Sequence, residues 1–191
     1  MKTSRHITVF GSGRIPGMRT DLYRMAYELG VLLGKAGFQH VSGGYGGTME
    51  AGAKGAREAG ARTVGVTVKG WGPPNPYITE TREMPDLFSR LEELMNLGRG
   101  YIALPGDTGT LIELAVAWER INKGLDKKKP VIVLGDHWLP SIETVKTMLS
   151  SPGMRENSQE NLLYGDFLWK AKNAEEAVEI LKNSSAFVIN D

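Results

Sequence analysis

The tightest constraint on the fold is the stretch from Gly100 to Ile121. Gly100-Tyr101-Ile102-Ala103-Leu104 is a short apolar run of the kind that forms a buried parallel strand, and Leu111, Leu114, Ala117, Trp118 and Ile121 then recur at helical spacing. Between them, Pro105-Gly106-Asp107-Thr108-Gly109-Thr110 makes a tight turn from the C-terminal end of a strand to the N-terminal end of a helix. Such a helix end has unpaired backbone N–H groups and a partial positive charge, which suits a phosphate. Gly106 and Gly109 let an anion approach the backbone, Thr108 and Thr110 add hydroxyl donors, and Glu113 is expected in the first helical turn, close to whatever the loop binds. An ordinary strand–turn–helix connection capped by Asp107 or Thr108 reads the same way.

The pattern occurs twice more. His6-Ile7-Thr8-Val9-Phe10 is a strand that runs into Gly11-Ser12-Gly13-Arg14-Ile15-Pro16-Gly17, a turn suited to an anion or ribose contact at Gly11 and Ser12. Pro16 stands where the third glycine of a dinucleotide fingerprint belongs, so that fingerprint is incomplete. A helix over 21–36 follows, then a strand at 38–42 and the turn Gly43-Gly44-Tyr45-Gly46-Gly47-Thr48. A structural turn needs one or two glycines, and four in five positions point to a binding loop. The helix from Thr48 to Ala59 is rich in small residues and is expected to pack closely on the sheet or on another subunit.

Further strands are expected at 63–68, 130–134 and 167–169, and helices at 86–97, 138–149 and 174–181. The segment 69–85, with Trp71, Pro73, Pro74, Pro76 and Tyr77, reads as a long irregular loop, and 151–161 as another. The alternation of strand and helix predicts one α/β domain over 1–191, a mostly parallel sheet with helices on both faces.

Composition removes whole classes of function. The formal charge is +1 with the two signs interleaved, so neither a nucleic-acid groove nor a membrane-binding face is expected. With no cysteine there is no disulfide, thiolate metal site or cysteine nucleophile, and a cytoplasmic location is expected in the absence of a signal peptide or long apolar span. His6, His40 and His137 lack metal spacing, and neither a nucleophile elbow nor a Walker loop is present. No metal and no cofactor is expected, and no pyridoxal-binding lysine motif is evident. What remains is three glycine turns on one sheet edge, an acid and an arginine: a site for a phosphorylated, nucleotide-like small molecule.

Arg90, a spacer, then Leu104-Pro105-Gly106-x-x-Gly109-Thr110-x-x-Glu113 resembles the signature of the LOG (Lonely Guy) family, long labelled possible lysine decarboxylases. Val9-Phe10-Gly11-Ser12-Gly13 and Ser42-Gly43-Gly44-Tyr45-Gly46-Gly47-Thr48 are similar to that family's outer turns. The resemblance implies a Rossmann-like three-layer fold, a homodimer or higher homo-oligomer, and hydrolysis of the N-glycosidic bond of adenine-type nucleoside 5′-monophosphates. It places Arg90 and Glu113 in the catalytic positions. Gly106, Gly109 and Thr110 take the phosphate loop with Pro105 and Thr108 beside them, assisted by Gly43, Gly44, Gly47 and Thr48. Read from chemistry alone, Arg90 and Glu113 could equally form a structural ion pair. Two departures stand out. Asp107 replaces a glycine of the family pattern, so that it either caps the helix or marks a different ligand, and the second turn is more similar to homologues that resemble molybdenum-cofactor carriers. The alternative implied is a non-catalytic nucleotide or molybdenum-cofactor carrier.

Overall fold

The computed structural model describes residues 5–15, 20–149, 162–164 and 166–187. Its elements are β1 (His6–Phe10), α1 (Thr20–Lys35), β2 (Gln39–Ser42), α2 (Gly47–Glu58), β3 (Thr63–Val68), β4 (Glu80–Met84), α3 (Leu87–Leu97), β5 (Gly100–Ala103), α4 (Thr108–Asn122), β6 (Val131–Leu134), α5 (Leu139–Leu149), β7 (Leu162–Tyr164), β8 (Leu168–Ala171) and α6 (Ala174–Asn183). They form one sheet in the order β4-β3-β2-β1-β5-β6-β8-β7. Seven strands are parallel, and β7 alone runs antiparallel, against β8. This is the expected Rossmann-like α/β architecture.

Successive residues of a strand face opposite sides of a sheet, and the core divides accordingly. On one side Phe10, Tyr101, Ala103, Val131 and Val133 meet Leu94 and Met95 of α3, Leu114 and Trp118 of α4, and Ile142 of α5. On the other, Ile7, Val9, Ile102, Ile132 and Leu134 meet Ala26, Leu29 and Leu33 of α1, Ala51 of α2, and Ala177 and Leu181 of α6. Because both faces are covered, β3, β5 and β6 are buried along their whole length, and none of them carries a charged residue.

The small residues of α2 have found their partner within the chain. A Cβ on Gly30 of α1 would lie 2.1 Å from the Gly52 carbonyl oxygen, and one on Gly55 would lie 2.2 Å from that of Tyr27. The two helices therefore touch backbone to backbone. This close packing accounts for the stripe without a second subunit.

The irregular loop expected over 69–85 contains β4, a strand that the pattern concealed. Glu80-Thr81-Arg82-Glu83-Met84 is an edge strand paired only with β3, and its residues alternate between half-buried and exposed. Four polar residues in five therefore suit it, and no apolar run marks it. β8 begins one residue later than expected and runs two further, and β7 lies in a stretch given no element. The loop expected over 151–161, together with Pro16 and Gly17 of the first turn, lies outside the described residues.

His40 is fully buried on β2, packs against Gly52, and has neither ring nitrogen hydrogen-bonded. Burial pushes its pKa down to about 4. The imidazole is neutral in the folded chain and charges more easily in the unfolded one, so its contribution to stability is complete above pH 6.5 and lost as pH falls towards 4. The loss is on the order of 3 kcal/mol. His40→Leu should flatten this acid limb of a urea-derived stability profile; an unchanged limb would assign the acid sensitivity elsewhere.

Candidate functional site

The strand order reverses direction at β1. From β1 the chain steps outwards through β2, β3 and β4, then crosses back to place β5 on the other side of β1. In open α/β sheets the crevice at the carboxyl ends of the strands flanking this switch point is the ordinary place for a ligand. The turns after β1, β2 and β5 all open there, and hydrogen bonds join them. The Thr48 amide and hydroxyl both donate to the Ser12 carbonyl, at 3.0 and 3.2 Å. The Ser12 hydroxyl donates to Asp107 Oδ2 at 3.1 Å. Gly11, Ser12, Gly47, Thr48 and the Pro105–Thr110 loop thus form one connected rim.

Gly44 and Gly47 take the left-handed backbone conformation at φ 78° and 64°, which a side chain would strain. Gly43 is required for a different reason. A Cβ there would lie 1.8 Å from Arg90 Nη2, so the missing side chain is the space that the guanidinium fills.

Arg90 comes from the first turn of α3, where Asp86 caps the helix by accepting from the Ser89 amide at 2.9 Å. Its Nε donates to the Val66 carbonyl at 2.8 Å, and its Nη1 donates to Glu113 Oε1 at 3.2 Å. Only 7% of Arg90 and 5% of Glu113 is exposed. One contact at 3.2 Å is a weak tie for two buried charges, and desolvation dominates: it pushes the Glu113 carboxyl up to about 7, against Arg90 and with help from the nearby Asp107 charge. A carboxyl that exchanges its proton near neutrality, held beside an arginine at a sheet's carboxyl edge, is equipped for acid–base work.

Glu113 sits in the second turn of α4 rather than the first, because the helix starts at Thr108 with Asp107 as its cap. Asp107 Oδ1 accepts from the Gly109 amide at 3.1 Å. Its carboxylate therefore takes up one of the helix-end donors offered to an anion. Thr108 and Gly109 are exposed beside it, Pro105 and Gly106 are half-buried, and Thr110 is buried. The Thr110 hydroxyl has no hydrogen-bond partner and packs against Gly106, where a Cβ would lie 2.2 Å from its oxygen. Thr48 is buried as well, with its hydroxyl engaged by Ser12.

Three residues that sequence reasoning missed hold the loops in place. Trp138 Nε1 donates to the Leu104 carbonyl at 2.8 Å, and His137 Nε2 lies 3.0 Å from the Gly106 carbonyl. Asn75 ties down the second turn, its Nδ2 donating to the Tyr45 carbonyl at 2.8 Å. The available signal was position: His137 and Trp138 follow β6, the neighbour of β5, on the same edge. A cavity of about 590 Å³ lined by Lys129, Pro130, Phe167, Trp169 and Ile180 opens at the opposite, N-terminal ends of β6 and β8, away from Arg90 and Glu113. Among the described residues no helix is long and apolar enough to cross a membrane.

Residues 49–183 match the model of the family described as possible lysine decarboxylase. The chain belongs to this family, the LOG family. Among its relatives it is 30% identical to the cytokinin riboside 5′-monophosphate phosphoribohydrolase of Rhodococcoides fascians, over 71% of this chain and 70% of that protein. It is 33% identical to the pyrimidine/purine nucleotide 5′-monophosphate nucleosidase of Escherichia coli, over 59% of this chain but only 28% of that longer protein. Its fold resembles that of the molybdenum cofactor binding protein of Rippkaea orientalis, with a TM-score of 0.72 and 25% identity over 95% of this chain and 98% of the other. Proteins similar to this chain thus carry names for nucleotide hydrolysis in one case and for molybdenum cofactor binding in the other.

Proposed function

We propose that this LOG-family protein hydrolyses the N-glycosidic bond of adenine-type nucleoside 5′-monophosphates, releasing the free base and ribose 5-phosphate. The observation that carries the reading is the buried Arg90–Glu113 pair at the switch-point crevice, with Gly43 bare to make room for it. Breaking the bond at C1′ builds positive charge on the ribose, as in glycoside hydrolysis. The Glu113 carboxylate stabilises that charge and orients water, while Arg90 holds Glu113 in place. The loop from Pro105 to Thr110, with Ser12 and the turn at Gly43–Thr48, grips the sugar-phosphate and so fixes the anomeric carbon near the acid. The unpartnered Thr110 hydroxyl is a buried donor suited to a ligand oxygen. The test is chromatographic: pure protein incubated with AMP, or with an N6-modified analogue, releases free base, and Glu113→Gln does not. Release no faster than from the Gln variant would end the proposal.

One observation favours a second reading, a non-catalytic carrier of a nucleotide or of the molybdenum cofactor. Asp107 places a carboxylate of the chain's own at the α4 N-terminus, where the first reading seats a phosphate. A carrier retains its ligand intact, so mass spectrometry of what co-purifies, followed by turnover of that ligand, separates the two.

We also propose a homodimer in a cytoplasmic setting, on the family likeness. Since α2 packs on α1 within the chain, a dimer would use another surface. A dimeric mass in solution scattering is expected, and a monomeric one refutes it.

A further inference from the structure

The segment between β3 and β4 carries an aromatic side chain that the chemistry above does not use. Trp71 is 56% exposed. It sits in a tight turn off the carboxyl end of β3, its amide donating to the Val68 carbonyl at 3.1 Å. Its ring centroid lies 6.4 Å from that of Tyr45, with 33° between the planes.

Tyr45 connects this ring to the candidate site. It belongs to the turn Gly43–Gly47, two residues from Gly43, which lies against the Arg90 guanidinium. Two residues reach at most about 7 Å, so the Tyr45 backbone lies in the wall of the crevice, and its side chain leads from there to Val68 at the end of β3 and to Trp71 beyond it. The opposite border is the Pro105–Thr110 loop after β5.

The pair is also held rigidly. The Tyr45 hydroxyl accepts from the Val68 amide at 2.9 Å. Asn75 donates its own amide to the Gly44 carbonyl at 2.7 Å, and its Nδ2 to the carbonyls of Gly44 and Tyr45 at 3.1 and 2.8 Å. The segment bearing Trp71 and the glycine turn therefore move as one unit. A rigid indole face presented to water beside a polar crevice is a stacking surface for a planar ring.

We infer that Trp71, backed by Tyr45, is the platform on which the base of the bound nucleotide stacks, and that it selects ring-bearing phosphates over bare sugar phosphates. This rests on the nucleotide reading of the site. The phosphate is gripped at the β5 side, the ribose lies over Arg90 and Glu113, and the base reaches the β3 side.

The experiment compares AMP and ribose 5-phosphate on wild type, Trp71→Ala and Trp71→Phe. Binding of AMP is read in all three proteins by rapid-mixing displacement of a fluorescently labelled nucleotide before turnover, and that of ribose 5-phosphate by the same competition and by calorimetry. Trp71→Ala should weaken AMP at least about five-fold, with Trp71→Phe recovering most of the loss and ribose 5-phosphate unaffected by either. Equal AMP affinity in Trp71→Ala overturns the platform while leaving the nucleotide reading intact. Equal weakening of both ligands also overturns it, since that pattern belongs to a disturbed fold. Wild type that binds neither ligand refutes the nucleotide reading and the platform together.

Discussion

Glu113→Gln should slow release of base from AMP by about 10²–10⁴-fold, the range typical of a positioned acid–base group. The substitution keeps the shape and the bond to Arg90 while removing the charge that would face the anomeric carbon. The wild-type pH profile is informative in the same experiment. Burial raises the Glu113 carboxyl to about 7, so the catalytic carboxylate forms only as pH passes that value. In the free enzyme, kcat/KM should therefore climb through about pH 7 to a plateau, and Glu113→Gln should remove that inflection. A full-rate Gln variant, or a wild-type profile flat from pH 5 to 9, would reduce Arg90–Glu113 to a structural ion pair.

Arg90→Met should produce the largest change in stability, a loss of about 3–5 kcal/mol at pH 8 in urea unfolding, because it leaves a carboxylate buried without its cation. Glu113 has a folded pKa above its ordinary 4.5, so the protonation-linked part of its contribution is complete below that value and is lost as pH rises towards about 7. Without Arg90 that pKa rises further and the loss continues to higher pH. The variant should therefore be damaged more at pH 8 than at pH 5, where the acid is protonated and neutral. Adding Glu113→Gln should recover part of the loss, since no buried charge then remains. A pH-independent loss in Arg90→Met would trace the damage to the bond with the Val66 carbonyl instead.

What the sequence disclosed and what it hid follow from the same physics. Strands buried on both faces hold no charge and are rich in apolar or β-branched residues, so β3, β5 and β6 were plain to see. β4 was not, because an edge strand takes charged residues and mimics a loop. The rim residues from Gly11 to Thr110 could be named because a glycine turn after a parallel strand falls on one edge of the sheet whatever the tertiary detail. Sequence could not say where a side chain is used up. Thr48 turns inwards to the Ser12 carbonyl, and Asp107 caps its own helix and bonds Ser12. The small-residue stripe of α2 announced close packing but not its partner, since spacing records the size of side chains and not which surface lies opposite.

The ion pairs on β4 bear on how copies of this protein can associate. Glu80 pairs with Arg62 at 2.5 Å and with Arg82 at 3.0 Å, and Arg82 also reaches Glu93 of α3. A bare edge strand offers unpaired amides and carbonyls to any incoming strand, whereas charged side chains along it oppose such growth. At this end of the sheet, accretion of a neighbour's strand into a continuous ribbon is discouraged. Assembly is left to helices and loops, and a crowded solution of the folded protein has one less route to fibrous aggregation.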